Sequence, residues 1–166
     1  MPTLQRMVAI TAGDPCGIGP EVILKTLQPL EVPASIRLVL IGDARVFDRT
    51  ARRLRLRLPR WPVATELAHA AFGPRLTFLD CGSRATFLPG RSSAAAGRAA
   101  LTYLERAVAC WRQGLIHGLV TAPVTKWAIA RAAPGFVGHT EYLARAMHAR
   151  DVVMLFVLIP LKRHGV

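Results

Sequence analysis

Short apolar runs closed by glycine, proline or acidic turns alternate along this chain with longer stretches whose apolar residues recur every three or four positions. Residues 7–11 (MVAIT) read as a buried first strand, and 12–19 as a glycine-rich turn opening a helix at Pro20. Residues 36–41 (IRLVLI) read as a second strand closed by Gly42 and Asp43, with 44–53 a helix capped by Asp43. Residues 76–79 and 118–120 supply further strands. The longest helix starts at Ser92 or Ser93 and reaches about Gln113, with Ala96, Ala100, Tyr103, Leu104, Ala107, Val108 and Trp111 as its apolar stripe. Leu54, Leu56 and Leu58 alternate with Arg53, Arg55 and Arg57, which predicts a strand with one wet face. Residues 59–74 read as irregular between prolines, and 82–90 as a loop. Strands separated by helices imply right-handed crossovers, hence an α/β fold with a mostly parallel sheet flanked by helices.

Composition narrows the function classes. The 166 residues, 52% of them apolar, suffice for one ordinary domain with a core. Gly13, Asp14 and Pro15 interrupt the opening apolar run well short of a secretory leader, and the longest apolar segment, 152–161, is about half of the ~20 residues a spanning helix needs. A cytoplasmic protein without membrane attachment is the expectation. Cys16, Cys81 and Cys110 are far apart with no C-x-x-C pair, which argues against a disulfide framework and a zinc site. The net charge of +12 raises nucleic acid as a partner, but the arginine-rich run at 49–60 has no interleaved aromatic residues or recognised nucleic-acid motif. A solvated face is the preferred reading.

Candidate chemistry concentrates at residues 118–142. The strand there ends in Thr121-Ala122-Pro123, where proline stops the ladder and brings Thr125 and Lys126 out at the sheet's carboxyl edge, the side on which such sheets bind ligands. A short helix follows, and Gly138, His139 and Thr140 then open another that reaches His148. Lys126, His139 and Thr140 are therefore candidates for holding a negatively charged small molecule, although Thr140 also reads as a simple N-cap. The first turn, Gly13-x-x-x-Gly17-x-Gly19, is neither a dinucleotide fingerprint nor a Walker loop. Its Asp14 either hydrogen-bonds a ligand hydroxyl or braces the loop. His69, His117, His148 and His164 show no paired metal spacing.

These same residues carry a resemblance. Thr121-Ala122-Pro123-Val124-Thr125-Lys126 followed by Gly138-His139-Thr140-Glu141-Tyr142-Leu143, together with the opening Ile10-Thr11-Ala12-Gly13-Asp14-Pro15-Cys16-Gly17-Ile18-Gly19-Pro20-Glu21, resembles the 4-hydroxythreonine-4-phosphate dehydrogenase family. The resemblance runs over roughly residues 7 to 155, the amino-terminal half of that family's enzymes. It implies a fold like isocitrate and isopropylmalate dehydrogenases, of which residues 1–166 form part of a two-lobed, homodimeric enzyme whose cofactor-binding half is absent here. It implies NAD(P)-dependent oxidation, with decarboxylation, of a phosphorylated hydroxy amino acid on the route to pyridoxal phosphate, assisted by a divalent metal. By motif, His139 and Thr140 match the substrate-binding pair, and Lys126 a recurrent lysine that contacts substrate or phosphate. Two departures stand out: Leu158 occupies the position of a metal-binding histidine, and Thr125 that of a histidine some members carry. The expectation is that this chain alone holds neither NAD(P) nor metal well and does not transfer hydride. The alternative is a truncated, non-catalytic remnant that binds an anionic ligand or a partner chain.

Overall fold

The computed structural model describes residues 5–28, 30–59, 61–67, 75–153 and 155. Strands β1 (Arg6–Thr11), β2 (Ile36–Gly42), β3 (Val63–Ala64), β4 (Leu76–Asp80) and β5 (Gly118–Thr121) form one sheet in the order β3-β4-β2-β1-β5, every pairing parallel. Helices α1 (Gly19–Leu27), α2 (Ala44–Leu54), α3 (Ala94–Arg112), α4 (Lys126–Ala132) and α5 (His139–Ala146) accompany it among the described residues. Ala9, Val39, Leu40, Ile41, Phe78 and Leu79 are fully buried. Central parallel strands are covered on both faces, which is why β2 is a nearly unbroken apolar run rather than an alternating one.

Thr11 pairs with Ile41 on one side and Thr121 on the other, so β1, β2 and β5 end at one level. From β1 the chain goes to β2 on one side, jumps to the edge at β3, comes back to insert β4 between β3 and β2, and then crosses to lay β5 on the other side of β1. That reversal sets the loops following β1 and β5 side by side at the carboxyl edge of the sheet, the end at which open parallel sheets receive ligands.

Ser93 caps α3 by accepting the Ala96 N–H at 3.2 Å. The helix buries Ala96, Ala100, Tyr103, Leu104, Ala107 and Val108, but Trp111 stays 40% exposed and Cys110 turns inward instead. Small residues at the helix start let α4 approach closely: a Cβ on Gly97 would lie 2.0 Å from the Ala128 carbonyl oxygen.

Three sequence expectations need correction. The Arg/Leu strand does not form. Val46, Phe47, Thr50 and Ala51 give α2 a buried face that continues to Leu54, and Arg55 caps the helix in the left-handed region (φ 54°) with its N–H directed at Ala51 and Arg52. Two residues of the alternation thus belong to a helix's last turn, where the period is set by packing rather than by a pleat. Asp43 stands at the N-cap position of α2 but makes no cap bond. Its carboxylate accepts the Ser83 N–H at 2.7 Å and the Tyr103 hydroxyl at 2.6 Å, while Asp80 receives the Ala44 N–H at 3.1 Å. Finally, Gly138 rather than Thr140 is the N-cap of α5, which ends at Ala146. Of the apolar carboxyl-terminal segment, Val152, Val153 and Leu155 are exposed and outside any strand; Leu158 lies outside the described residues, as do His69 and His164.

Candidate anion site at the carboxyl edge of the sheet

The loops after β1 and β5 are pressed together. Gly13 adopts φ 71°, and a Cβ there would lie 2.3 Å from the Pro123 carbonyl oxygen. The next residue exploits that contact: the Asp14 N–H donates to the same Pro123 oxygen at 3.0 Å. Asp14 is 3% exposed. Its Oδ1 accepts the Cys16 N–H at 2.8 Å, and its Oδ2 accepts the hydroxyls of Ser92 at 2.6 Å and Thr125 at 2.5 Å. Of the two roles open to Asp14 from sequence, these partners describe the brace.

Thr125 is the N-cap residue of α4, yet its side chain makes no capping bond because its hydroxyl points to Asp14. Lys126 follows as the first helical residue, exposed, and its side chain runs across Gly138: a Cβ on that glycine would lie 3.6 Å from Lys126 Nζ and 3.7 Å from its Cε. His139 comes next, half-buried, with the Phe136 ring edge-on at a centroid distance of 6.5 Å. The His139 Nε2 is enclosed and has no hydrogen-bond partner. Burial holds the imidazole below the usual histidine range, and the Lys126 ammonium lowers it further.

An ammonium beside an enclosed, unpartnered imidazole nitrogen is a costly arrangement in isolation. Because Nε2 is enclosed, an oxyanion would reach it only on a shift of the ring or of the Lys126 side chain; once there it would accept from both and favour the charged imidazolium. The structure thus brings Lys126 and His139 together. Asp14 lies one residue removed, joined through Thr125. Thr140 is exposed and lies on the rim of a hollow of about 430 Å³ lined by Leu143, Ala144, Met147 and Val152 among others.

Among the described residues, no three His, Cys, Asp or Glu side chains converge as metal ligands. The glycine turn after β1 is filled by the protein itself, since a Cβ on Gly19 would lie 2.3 Å from the Ala12 oxygen. No chemical step is assigned to a divalent metal or a nicotinamide nucleotide on the described residues. No helix among the described residues is long and apolar enough to cross a membrane.

Comparison with known proteins gives the chain a family. The family description of "Pyridoxal phosphate biosynthetic protein PdxA" matches residues 34–164. The chain belongs to the PdxA family. A 4-hydroxythreonine-4-phosphate dehydrogenase of Synechococcus sp. (strain JA-2-3B'a(2-13)) is 38% identical over 153 residues, 90% of this chain and 43% of the relative. A D-threonate 4-phosphate dehydrogenase of Cupriavidus necator is 40% identical over 156 residues, 91% of this chain and 46% of the relative. The crystal structure of a 4-hydroxythreonine-4-phosphate dehydrogenase from Burkholderia phymatum superposes with a TM-score of 0.76 at 31% identity, covering 89% of this chain and 45% of that one. The chain thus spans less than half the length of the PdxA relatives it matches.

Sequence reasoning missed two members of the constellation. Ser92 is legible from sequence only as one of two possible helix starts, and Thr125 as a residue at the sheet's edge and a departure from a family pattern, neither as a partner of Asp14. Adjacent serines were the available signal: Ser93 caps α3, which frees Ser92 to bond elsewhere.

Proposed function

We propose that this chain forms the phosphate-holding part of a two-lobed PdxA-type dehydrogenase whose substrate is a phosphorylated four-carbon hydroxy acid on the route to pyridoxal phosphate. The observation that supports this most is the enclosed, unpartnered His139 Nε2 beside the Lys126 ammonium, at the strand ends where open α/β sheets bind ligands. Lys126 contributes charge and donors to the phosphoryl oxygens. His139, neutral before binding, gains a partner and takes up a proton as the dianion arrives, so the pair holds more charge when occupied than when empty. Thr140 contributes its exposed hydroxyl on the neighbouring side of α5. Relatives carry the names of both 4-hydroxythreonine-4-phosphate and D-threonate 4-phosphate dehydrogenases. The shared chemistry is a phosphate ester on a hydroxylated, carboxylated chain. In this reading the nicotinamide cofactor and divalent metal of the reaction are held by groups other than those described here, and the working assembly is a cytoplasmic homodimer.

The purified 166-residue protein is therefore expected to bind phosphate esters weakly while showing no NAD or NADP reduction with 4-phosphooxy-threonine and a divalent metal. Absence of any phosphate-ester binding at low salt would count against the site, and cofactor reduction by the chain alone would overturn its assignment as a non-autonomous part. The second reading, a remnant that binds an anion or a partner chain without taking part in catalysis, shares the binding result. It separates on mixing with a carboxyl-terminal half of a relative, which restores turnover only under the first reading.

A further inference from the structure

We propose that Asp14 is a positioning residue, which clamps the 123–125 turn from both ends and thereby sets Lys126 beside His139; the inference rests on the anion-site reading above. Two groups of one residue grip the turn. The Asp14 backbone N–H holds the Pro123 carbonyl at 3.0 Å, and its Oδ2 holds the Thr125 hydroxyl at 2.5 Å, so the two ends of a three-residue turn are tied to a single buried position. Lys126 is the next residue along.

The chemistry favours a clamp over a ligand contact. A carboxylate only accepts hydrogen bonds. Both of its oxygens are already engaged, by the Cys16 N–H, the Ser92 hydroxyl and the Thr125 hydroxyl, and the residue is 3% exposed. Thr125 stands where a threonine ordinarily caps its own helix, yet it gives its hydroxyl to Asp14 and makes no cap bond. The long-range partner has displaced the local one. Ser92 ties the same oxygen to the start of α3, and α3 in turn meets α4 at the Gly97–Ala128 approach. The first residue of α4 is thus referenced to the core through two routes, both converging on Asp14. Without the carboxylate, the Thr125 hydroxyl is free to return to the α4 N-terminus and Lys126 to drift from His139.

The test follows the His139 imidazole resonance through a pH titration, assigned with His139→Gln, in the wild-type chain and in Asp14→Asn, Thr125→Val, Thr125→Ser and the Asp14→Asn/Thr125→Val double variant. Inorganic phosphate and 4-phosphooxy-threonine affinities are measured on the same proteins. A clamp predicts that the His139 titration midpoint rises in Asp14→Asn and Thr125→Val, as the Lys126 charge moves off. It also predicts that each weakens phosphate-ester binding several-fold, that the double variant is no worse than the weaker single, and that Thr125→Ser, which keeps the hydroxyl, behaves as wild type. An unmoved His139 midpoint in folded Asp14→Asn and Thr125→Val proteins overturns the proposal, and additive losses of affinity overturn it in favour of direct ligand contact. If Asp14→Asn does not fold, the Thr125→Val and Thr125→Ser pair decides alone. If the wild-type chain binds no phosphate ester, the anion-site reading fails, while the His139 midpoints still rule on the clamp.

Discussion

Gly13 and Pro123 meet with no room for a side chain between them: a Cβ on Gly13 would lie 2.3 Å from the Pro123 carbonyl oxygen, and Gly13 is held at φ 71°. Gly13→Ala is therefore expected to destabilise the protein twice over, by about 1–2 kcal/mol for the left-handed backbone and by about 1–3 kcal/mol for the forced separation of the two loops. Gly82→Ala is the control. It shares a positive φ of 63° but has open space around it, so only the backbone penalty applies. Urea unfolding of the two variants should differ by the close-approach penalty, and equal losses would show that the loops are not in contact.

The buried hydroxyl of Tyr103 donates to Asp43 Oδ2 at 2.6 Å, joining the middle of α3 to the end of β2. Burial and the Asp43 carboxylate push the phenol far above the usual tyrosine range. Removing the hydroxyl leaves a buried carboxylate short of a partner, so Tyr103→Phe is expected to cost about 1.5–3 kcal/mol in urea unfolding. In ultraviolet titration of the wild type, Tyr103 should ionise only as the protein unfolds in alkali. Ionisation of both tyrosines near their ordinary value in the folded state would contradict the buried hydrogen bond.

Much of the architecture is readable from the chain because the physics is local. Strands β1, β2 and β5 are short apolar runs closed by glycine or proline, and paired serines mark the start of α3. The Arg/Leu alternation misled because two of its residues finish an amphipathic helix, and a few alternating positions fit either period when the buried face of α2 is unknown. The two-residue β3 is too short to leave any pattern. At the site, Lys126 and His139 follow from their placement at strand and helix ends. The partners of Asp14 do not: Ser92 and Thr125 lie 78 and 111 positions away, and no periodicity reports a hydrogen bond across such distances.

His139 also makes stability depend on pH. Its folded-state value is depressed below the ordinary 6.5 by burial and by Lys126, so between the depressed value and 6.5 the unfolded chain binds more protons than the folded one. Stability from this residue is complete above the ordinary value and declines as pH falls through it, until the folded imidazole also protonates. Urea midpoints measured from pH 8 to 5 should drop across this window in the wild type and less so in His139→Gln. Saturating inorganic phosphate should flatten the wild-type profile, since an anion at Nε2 favours the charged ring. Identical slopes in the two proteins would remove His139 from the account.

Gly97→Ala tests the route by which α3 holds α4. A Cβ at that position would overlap the Ala128 backbone, so the helices must separate, at a cost of about 1–3 kcal/mol. Because α4 carries Lys126 on its first turn, phosphate-ester affinity should fall together with stability. A destabilised variant with unchanged affinity would show that the position of Lys126 does not depend on this packing.

The most direct test of the shared anion site is a titration of 4-phosphooxy-threonine into the 166-residue chain at low salt, observed at the His139 imidazole in wild type and in Lys126→Ala. The account predicts a saturable shift and a raised titration midpoint in the wild type, with affinity about tenfold weaker in Lys126→Ala, in keeping with loss of one charge-assisted hydrogen bond. A His139 signal that ignores the ester, or responds equally with Lys126 removed, would contradict it.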